Sequence, residues 1–314
     1  MYKKNTIATV IPCYKVSNQI DHVIKNIPKY VDHIVVVDDC CPEKSYKHIN
    51  KKNKFSKLVI LKHKKNMGVG AATKTGFNYC LEKKIDIVVK IDGDDQMDTT
   101  LMSNFLDPII DEGFVYTKGN RFYYLESING MPIVRILGNS FLSFFTKLSS
   151  GYWNIFDPTN GYIALKTNSI PFLSLEKINN RYFFESDMLF RLYLCNSKIK
   201  DIPINSIYQN EVSNLSPLKV LIPFLLLNLK NFFKRIFYVY FLRDINIATI
   251  ELIFGMPILI FGIYYGLSSW IESSLIGVAA STGTIVLSAL AIIIGFQLLL
   301  GFLNYDINNN PNKG

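Results

Sequence analysis

The spacing of apolar residues changes character along the chain, and each change marks a different kind of element. Up to about residue 100, short continuous apolar runs alternate with segments of helical period. TIATVIPCY (6–14), HIVVVDD (33–39), 57–61 and IDIVVKIDGD (85–94) read as buried strands. The stretch 17–30, with Ile20, Val23, Ile24 and Ile27 on one face, and the stretch 70–83 read as helices. Continuous apolar strands separated by helices predict a parallel sheet covered on both faces. Between 101 and 205 the pattern is less regular, with loops marked by Gly119, Gly130, Gly151 and Gly161 and a helix over 185–195.

A two-faced helical period returns in 216–243. Asn228, Lys230, Asn231, Lys234, Arg235 and Tyr238 share one arc, and Leu229, Phe232, Phe233, Ile236 and Val239 the other. This predicts an amphipathic helix lying in a membrane interface with a basic polar face. After it the chain turns apolar. Residues 252–271 carry no charge, and neither do 273–305, with an apolar heart over 285–303. A helix of about 20 residues spans the ~30 Å of a bilayer core, so both stretches predict transmembrane helices, over about 250–271 and 284–304.

Charge gives the hairpin a direction. Of the 34 Lys and Arg only Lys313 lies beyond residue 243, against four of the 25 Asp and Glu. The connection between the spans, 272–283, has no basic residue. The positive-inside rule then places the first 243 residues and the tail 306–314 in the cytoplasm. The expected organisation is a catalytic domain over 1–215, a juxtamembrane segment over 216–248, a hairpin over 249–305 and a short tail. No cleavable leader is expected ahead of the first strand. Gly255, Gly262 and Gly266 could pack helices together, which leaves a homo-oligomer open.

The five cysteines, Cys13, Cys40, Cys41, Cys80 and Cys195, show no CxxC spacing and predict reduced thiols. The abundance of Lys, Asn and Ile reads as coding bias, so the basic balance predicts no nucleic-acid partner.

The candidate chemistry lies where strands end in acid. HIVVVDD delivers Asp38 and Asp39, and DIVVKIDGDDQ delivers Asp92, Asp94 and Asp95, to one edge of the sheet. An open α/β sheet binds ligands at the carboxyl ends of its strands. Alternation along an extended backbone puts Asp92 and Asp94 on one side, where two carboxylates suit one divalent cation on a diphosphate. The run 66–76, NMGVGAATKTG, is glycine-rich and opens a helix, so its backbone could approach a nucleotide.

Seven short motifs stand in an informative order: VIPCY (10–14), VVDD (36–39), NMGVGAATKTG (66–76), DGDDQ (92–96), GNRF (119–122), DPTNGY (157–162) and FESD (184–187). Together they resemble the family 2 glycosyltransferases of GT-A fold, in the branch like dolichol-phosphate mannose synthase that loads a sugar onto a polyprenyl phosphate. The resemblance implies a GT-A, Rossmann-like, mostly parallel α/β sheet domain, followed here by the interfacial helix and the transmembrane hairpin. It implies Mg²⁺ or Mn²⁺ held by Asp92, Asp94 and Gln96, a metal class that all-oxygen ligation suits. It implies nucleotide-sugar contacts from Pro12, Tyr14, Asp38, Asp39, Asn66, Gly68, Asp92 and Gly93. The acceptor phosphate would meet Arg121, Arg135 and Asn139, and Asp94, Arg121, Arg135 and Asp187 would form the catalytic set. Asp157 could orient sugar or acceptor, or cap the following turn.

The expected partners are a nucleotide-diphosphate sugar, a polyprenyl phosphate (undecaprenyl phosphate in a bacterium) and the lipid bilayer. The expected location is a bacterial inner membrane, with the catalytic domain cytoplasmic. Two departures from the family's pattern stand out: Lys15-Val16 where Asn-Glu is common, and Cys40-Cys41 where a small or polar residue follows the Asp pair. The rival of the same fold uses a sugar or lipid hydroxyl with Asp187 as general base, because a hydroxyl must lose its proton and a phosphate anion need not. A non-catalytic membrane scaffold is the rival of another class.

Overall fold

The computed structural model describes residues 1–49, 55–124, 133–205 and 217–313. The chain forms two compact units, Met1–Phe232 and Phe233–Gly314.

The first unit is built on one seven-stranded sheet. Its strands are β1 (Ile7–Cys13), β2 (His33–Asp38), β3 (Leu58–Lys62), β4 (Ile87–Lys90), β5 (Tyr116–Asn120), β6 (Ile163–Lys166) and β7 (Ile199–Pro203), in the spatial order β3-β2-β1-β4-β6-β5-β7. The first four run parallel; β6 is antiparallel to both β4 and β5, and β5 and β7 are parallel. The weak periodicity beyond residue 101 thus conceals the half of the sheet where direction reverses. Register aligns the strand ends that matter: Cys13 lies opposite Asp38, Asp38 opposite Lys62, and Val10 opposite Lys90.

The helices are α1 (Ile20–Asn26), α2 (Val69–Glu82), α3 (Met102–Asp111), α4 (Ile133–Ser150) and α5 (Phe184–Leu194), followed by α6 (Pro217–Phe237), which crosses the unit boundary. Helix α2 lies so close on β1 that a Cβ at Gly76 would overlap the Val10 side chain. The core gathers Ile7, Ile11, Val36 and Val89 from the strands with Val23 and Phe105 from the helices. Each buried aliphatic side chain of this size contributes about 1.5–3 kcal/mol. Phe105 stacks on Tyr162 at 4.0 Å between centroids, so Phe105→Ala would cost about 3–5 kcal/mol.

The second unit is a helical hairpin. A π-helical turn (Tyr238–Arg243) precedes α7 (Ile247–Ile276) and α8 (Thr282–Asn308). Asn246 and Thr249 form a capping box at the start of α7, Gly277 closes it at φ +75°, and Ser281 caps α8. Both helices are long and apolar enough to cross a membrane. Small residues serve the hairpin itself. A Cβ on Gly262 would sit 2.9 Å from Ala291 Cβ, and one on Gly295 2.6 Å from Leu259 N. Gly266 faces the Ser288 hydroxyl, which donates to Gly262 O at 3.0 Å. Arg235 grips Asp306 with two bonds, Nη1 to Oδ1 at 2.5 Å and Nη2 to Oδ2 at 2.9 Å, and Tyr240 adds its hydroxyl at 2.6 Å. This buried clamp ties the segment before α7 to the end of α8, holding both hairpin termini at one end.

One expectation about sidedness is corrected. Asn228, Asn231 and Arg235, expected on the solvated basic face of α6, are buried. On the apolar arc, expected to face the membrane, Leu229 and Phe233 are exposed, while Ile236 and Val239 are buried in the protein. The polar side chains find partners inside the protein: Ser149 donates to Asn228 Oδ1 at 2.6 Å, and Asn231 donates to Asp187 Oδ1 at 2.9 Å. All five cysteines are free.

Candidate active site

Strand β4 ends at Lys90, before its acids, and a turn carries Asp92, Gly93 and Asp94, with Asp95 at φ +63°. The expected alternation along an extended backbone therefore does not set where Asp92 and Asp94 point. A turn does, closed by Gln96 N donating to Asp94 Oδ1 at 3.3 Å. Gly93 makes that turn possible beside β1, since its Cβ would lie 3.3 Å from Pro12 O and 3.2 Å from Val16 Cγ2. The D-G-D turn and the Pro12–Tyr14 turn are thus neighbours. Tyr14 is exposed above them with the Lys15 ammonium 5.8 Å from its ring centroid.

Sequence reasoning missed Lys90, the residue that organises this edge. It is 1% exposed, and its Nζ lies 2.8 Å from Asp92 Oδ1 and 3.1 Å from Glu185 Oε1. Burial alone would lower the pKa of the ammonium; Asp92 and Glu185 outweigh burial and push it above the ordinary lysine value. Burial raises the Glu185 carboxyl above the ordinary glutamate range, against the pull of Lys90. Gly161 closes the group, because a Cβ there would overlap both Asp92 Oδ2 and Lys90 Nζ. The signal was a lysine inside an apolar strand, which needs a buried anion as partner.

At the β2 end the two aspartates differ. Asp38 is buried, accepts from Cys41 N at 3.3 Å, and has its pKa raised by burial. Asp39 works on the protein itself: Oδ1 accepts from Met67 N at 2.8 Å and Oδ2 from Gly68 N at 2.7 Å. His63 Nδ1 lies 2.7 Å from Asp39 Oδ1, and a carboxylate only accepts, so this nitrogen donates; Nε2 meets Thr75 Oγ1 at 2.9 Å. Three of the four lone-pair positions of Asp39 are therefore committed to shaping the 63–68 loop. Asn66 reaches Asp39 O at 3.5 Å. The glycines of this loop also have a use the sequence did not suggest. Gly68, at φ +100°, would bring a Cβ to 2.5 Å from Asn180 O, and Gly70 one to 2.6 Å from Asn179 O. Close approach here is to the 179–181 segment of the chain.

Arg121, just past β5, is fixed by a carboxylate that is 0% exposed. Its Nε and Nη2 donate to Asp157 Oδ2 and Oδ1, each at 2.7 Å, and its backbone N–H reaches Oδ2 at 3.2 Å. Asn160 adds a bond to Oδ2 at 3.0 Å. Burial alone would raise the Asp157 pKa, but Arg121 holds it below the ordinary aspartate value. Asp157 takes φ +52° and positions the arginine. Asn139 is half-buried on α4; the Arg135 side chain, like Gly130, lies outside the described residues.

Asp187 sits in the first turn of α5 with Glu185, where the helix dipole favours negative charge. Its Oδ2 accepts from Asn179 N at 2.8 Å and its Oδ1 from Asn231. The spacing of Asn231 predicts a solvated face, and its bond to Asp187, 44 residues away, leaves no local signal in the sequence.

Among the described residues no cluster of three or more His, Cys, Asp or Glu is arranged to hold a metal by itself. Two carboxylates in one turn, Asp92 and Asp94, still fit the oxygen chemistry of Mg²⁺ or Mn²⁺, which complete their shells with water and substrate phosphate. Lys90 engages Asp92 Oδ1, and Asp94 Oδ1 accepts from Gln96 N.

Comparison with known proteins accords with this arrangement. The family described as Glycosyl transferase family 2 matches residues 9–170. The UDP-N-acetylglucosamine–dolichyl-phosphate N-acetylglucosaminyltransferase of Methanococcus voltae is 30% identical over 216 residues, covering 64% of this chain and 86% of that protein. The undecaprenyl-phosphate mannosyltransferase of Micrococcus luteus is 24% identical over 205 residues, covering 63% and 82%. Glucosyl-3-phosphoglycerate synthase of Mycobacterium tuberculosis, solved with Mn²⁺, UDP and phosphoglyceric acid, superposes with a TM-score of 0.53. It is 18% identical over 74% of this chain and 78% of that one, a likeness of fold. With the family match spanning more than half of the chain, on a mostly parallel sheet whose acidic strand ends share one edge, the chain belongs to glycosyl transferase family 2 and is a glycosyltransferase of GT-A-like fold.

Proposed function

We propose that the protein transfers a hexose or N-acetylhexosamine from a nucleotide-diphosphate sugar to a polyprenyl phosphate at a membrane. A phosphate oxygen of the lipid attacks the anomeric carbon, the bond from that carbon to the diphosphate breaks, and the nucleoside diphosphate leaves with the electron pair. Attack opposite the leaving group inverts the configuration. A divalent metal on Asp92, Asp94 and Gln96 would neutralise charge developing on the leaving diphosphate.

In this reading the Pro12–Tyr14 turn flanks the base and Asp38 accepts from base or ribose. Asp39, Asn66 and Gly68 shape the loop beside it, and Gly93 keeps the D-G-D turn close. Arg121, Arg135 and Asn139 hold the acceptor phosphate. Asp157 keeps the Arg121 fork oriented, which suits bidentate recognition of a phosphate. In the same reading the two apolar helices cross the bilayer, and the excess of Lys and Arg before residue 243 supports a cytoplasmic catalytic unit.

The observation that carries the choice of acceptor is the state of Asp187. Both of its oxygens serve the Asn179 N–H and the Asn231 amide, so it organises structure where a hydroxyl acceptor would require a poised base. A phosphate monoester, with a second pKa near 6, is already an anion at neutral pH. The relatives named for dolichyl-phosphate and undecaprenyl-phosphate acceptors support the same choice.

The test is transfer by the purified full chain in detergent, with polyprenyl phosphate, Mn²⁺ and radiolabelled UDP- and GDP-sugars, UDP-N-acetylglucosamine first. We expect a labelled lipid from one donor, lost on chelation and in Asp94→Ala. Transfer only to a hydroxyl acceptor would replace the reading with its rival.

A further inference from the structure

The two departures from the family's pattern, Lys15-Val16 and Cys40-Cys41, meet where β1 and β2 end. The Lys15 N–H donates to Cys41 Sγ at 3.1 Å, and the Val16 N–H donates to Ser45 Oγ at 3.1 Å. Cys41 Sγ and Ser45 Oγ lie 3.2 Å apart, and Ser17 Oγ lies 3.0 Å from Ser45 Oγ. Ser17 also donates to Glu43 Oε2 at 3.0 Å. The turn at 15–17 is therefore bonded, residue after residue, to the 41–45 segment. Cys41 and Ser45 are 5% and 0% exposed, so their bonds are shielded from water.

We propose that Cys41 and Ser45 are positioning residues for the nucleotide: they strap the 14–17 turn to the end of β2 and so set how the base is held between Tyr14 and Asp38. The proposal rests on the reading that places the base against the Pro12–Tyr14 turn. Cys41 reaches both sides of that place. Its Sγ holds the Lys15 N–H, and its own N–H donates to Asp38 Oδ1 at 3.3 Å. Tyr14 is exposed, and among the described residues no hydrogen bond holds its side chain, so its backbone neighbours decide where the ring lies. On one side Cys13 is fixed in β1 opposite Asp38. On the other, Lys15 takes φ +55°, a left-handed conformation that a lysine keeps only where its surroundings hold it.

The sulfur serves as a hydrogen-bond acceptor. Burial alone would raise the Cys41 pKa, but hydrogen bonds from the Ser45 hydroxyl and from the backbone of Lys15, Ser45 and Glu43 bring it below the ordinary cysteine value. Burial, with Asp38 nearby, instead pushes the Cys13 thiol up to about 12. A side chain with no acceptor at position 41 would leave the Lys15 N–H without its partner, and the turn without its first bond.

The test measures binding to the full chain in detergent with Mn²⁺, by calorimetric titration of UDP and GDP. Inorganic pyrophosphate is the probe that has a diphosphate and no base. Cys41→Val removes the acceptor and keeps the bulk, Cys41→Ser keeps an acceptor, and Ser45→Ala releases the Val16 N–H. For the nucleoside diphosphate that the parent binds, Cys41→Val and Ser45→Ala should raise Kd at least about fivefold, with pyrophosphate within about twofold. Cys41→Ser should stay within about twofold of the parent on both probes. Unchanged nucleoside diphosphate binding in Cys41→Val overturns the proposal, and so does an equal loss of pyrophosphate, which marks general damage to the site.

Hydrogen–deuterium exchange of the unliganded chain follows the strap without any nucleotide. Peptides covering 14–17 should exchange at least about fivefold faster in Cys41→Val and at the parent rate in Cys41→Ser. An unchanged rate in Cys41→Val overturns the strap. Faster exchange, with a parent that binds pyrophosphate as tightly as UDP and GDP, would leave the strap standing and overturn the placement of the base, and the proposal with it.

Discussion

Replacing Arg121 by Met keeps most of the side chain's bulk and removes the guanidinium from Asp157, which makes the buried pair a measurable quantity. Asp157 is 0% exposed and would lose two charge-assisted bonds of 2.7 Å, keeping those from Asn160 and the backbone at position 121. Breaking a buried ion pair from one side costs about 3–5 kcal/mol. Protonation sets a ceiling: a stranded carboxyl of ordinary pKa about 3.9 can take a proton at pH 7 for about 4 kcal/mol, at 1.36 kcal/mol per unit. With two hydrogen bonds retained we expect a loss of about 3 kcal/mol at pH 7. For a unit of this size that is a fall of about 6–12 °C in melting temperature.

The pH dependence fixes the cause. In the native protein Asp157 has a depressed pKa, so its contribution is present above the unfolded value of about 3.9 and is lost as pH falls through the lower folded value. In Arg121→Met burial dominates and the carboxyl's pKa rises, so the deficit shrinks by up to about 1.4 kcal/mol per unit as pH falls toward 4. Arg121→Met/Asp157→Asn removes the stranded charge and should recover most of the loss. The assay is thermal unfolding of the detergent-purified chain by tryptophan fluorescence at pH 5, 6 and 7. A melting point within 2 °C of the parent at pH 7, or a deficit that does not change with pH, would refute the reasoning.

Two other substitutions probe the site. Gly161→Ala drives a methyl into Lys90 and Asp92, and misplacing a site group by about 1 Å costs about 10²-fold in rate. Transfer kinetics should show that drop, and activity within threefold of the parent would remove the Lys90–Asp92–Glu185 group from the chemistry. Asp187→Asn leaves one oxygen for two donors, Asn179 N and Asn231, at a cost of about 1–3 kcal/mol. Rate measurements should show transfer to the lipid phosphate retained within about tenfold, and a loss beyond 10³-fold would identify Asp187 as a base.

The strands and the acids that end them were legible because each signal is local. A continuous apolar run closed by Asp38-Asp39 or Asp92 announces both the strand and its functional end. What stayed hidden depends on partners distant in sequence. Lys90 meets Glu185 across 95 residues and Arg121 meets Asp157 across 36. On α6, Asn228, Asn231 and Arg235 were expected to be solvated, and they are buried because their partners Ser149, Asp187 and Asp306 lie far away in the sequence. The glycines at 68 and 70 suggested ligand approach, and the 179–181 segment fills that space.

The central claim is that the lipid phosphate oxygen is the nucleophile, and ³¹P NMR of the reaction mixture tests it most directly. After turnover with polyprenyl phosphate and the donor identified in the panel, the lipid phosphomonoester signal should be replaced by a single phosphodiester as nucleoside diphosphate appears in equal amount. Asp94→Ala should leave the monoester unchanged. A pyrophosphate-linked lipid with release of nucleoside monophosphate, or an untouched monoester while the donor is consumed with a hydroxyl acceptor, would contradict the account.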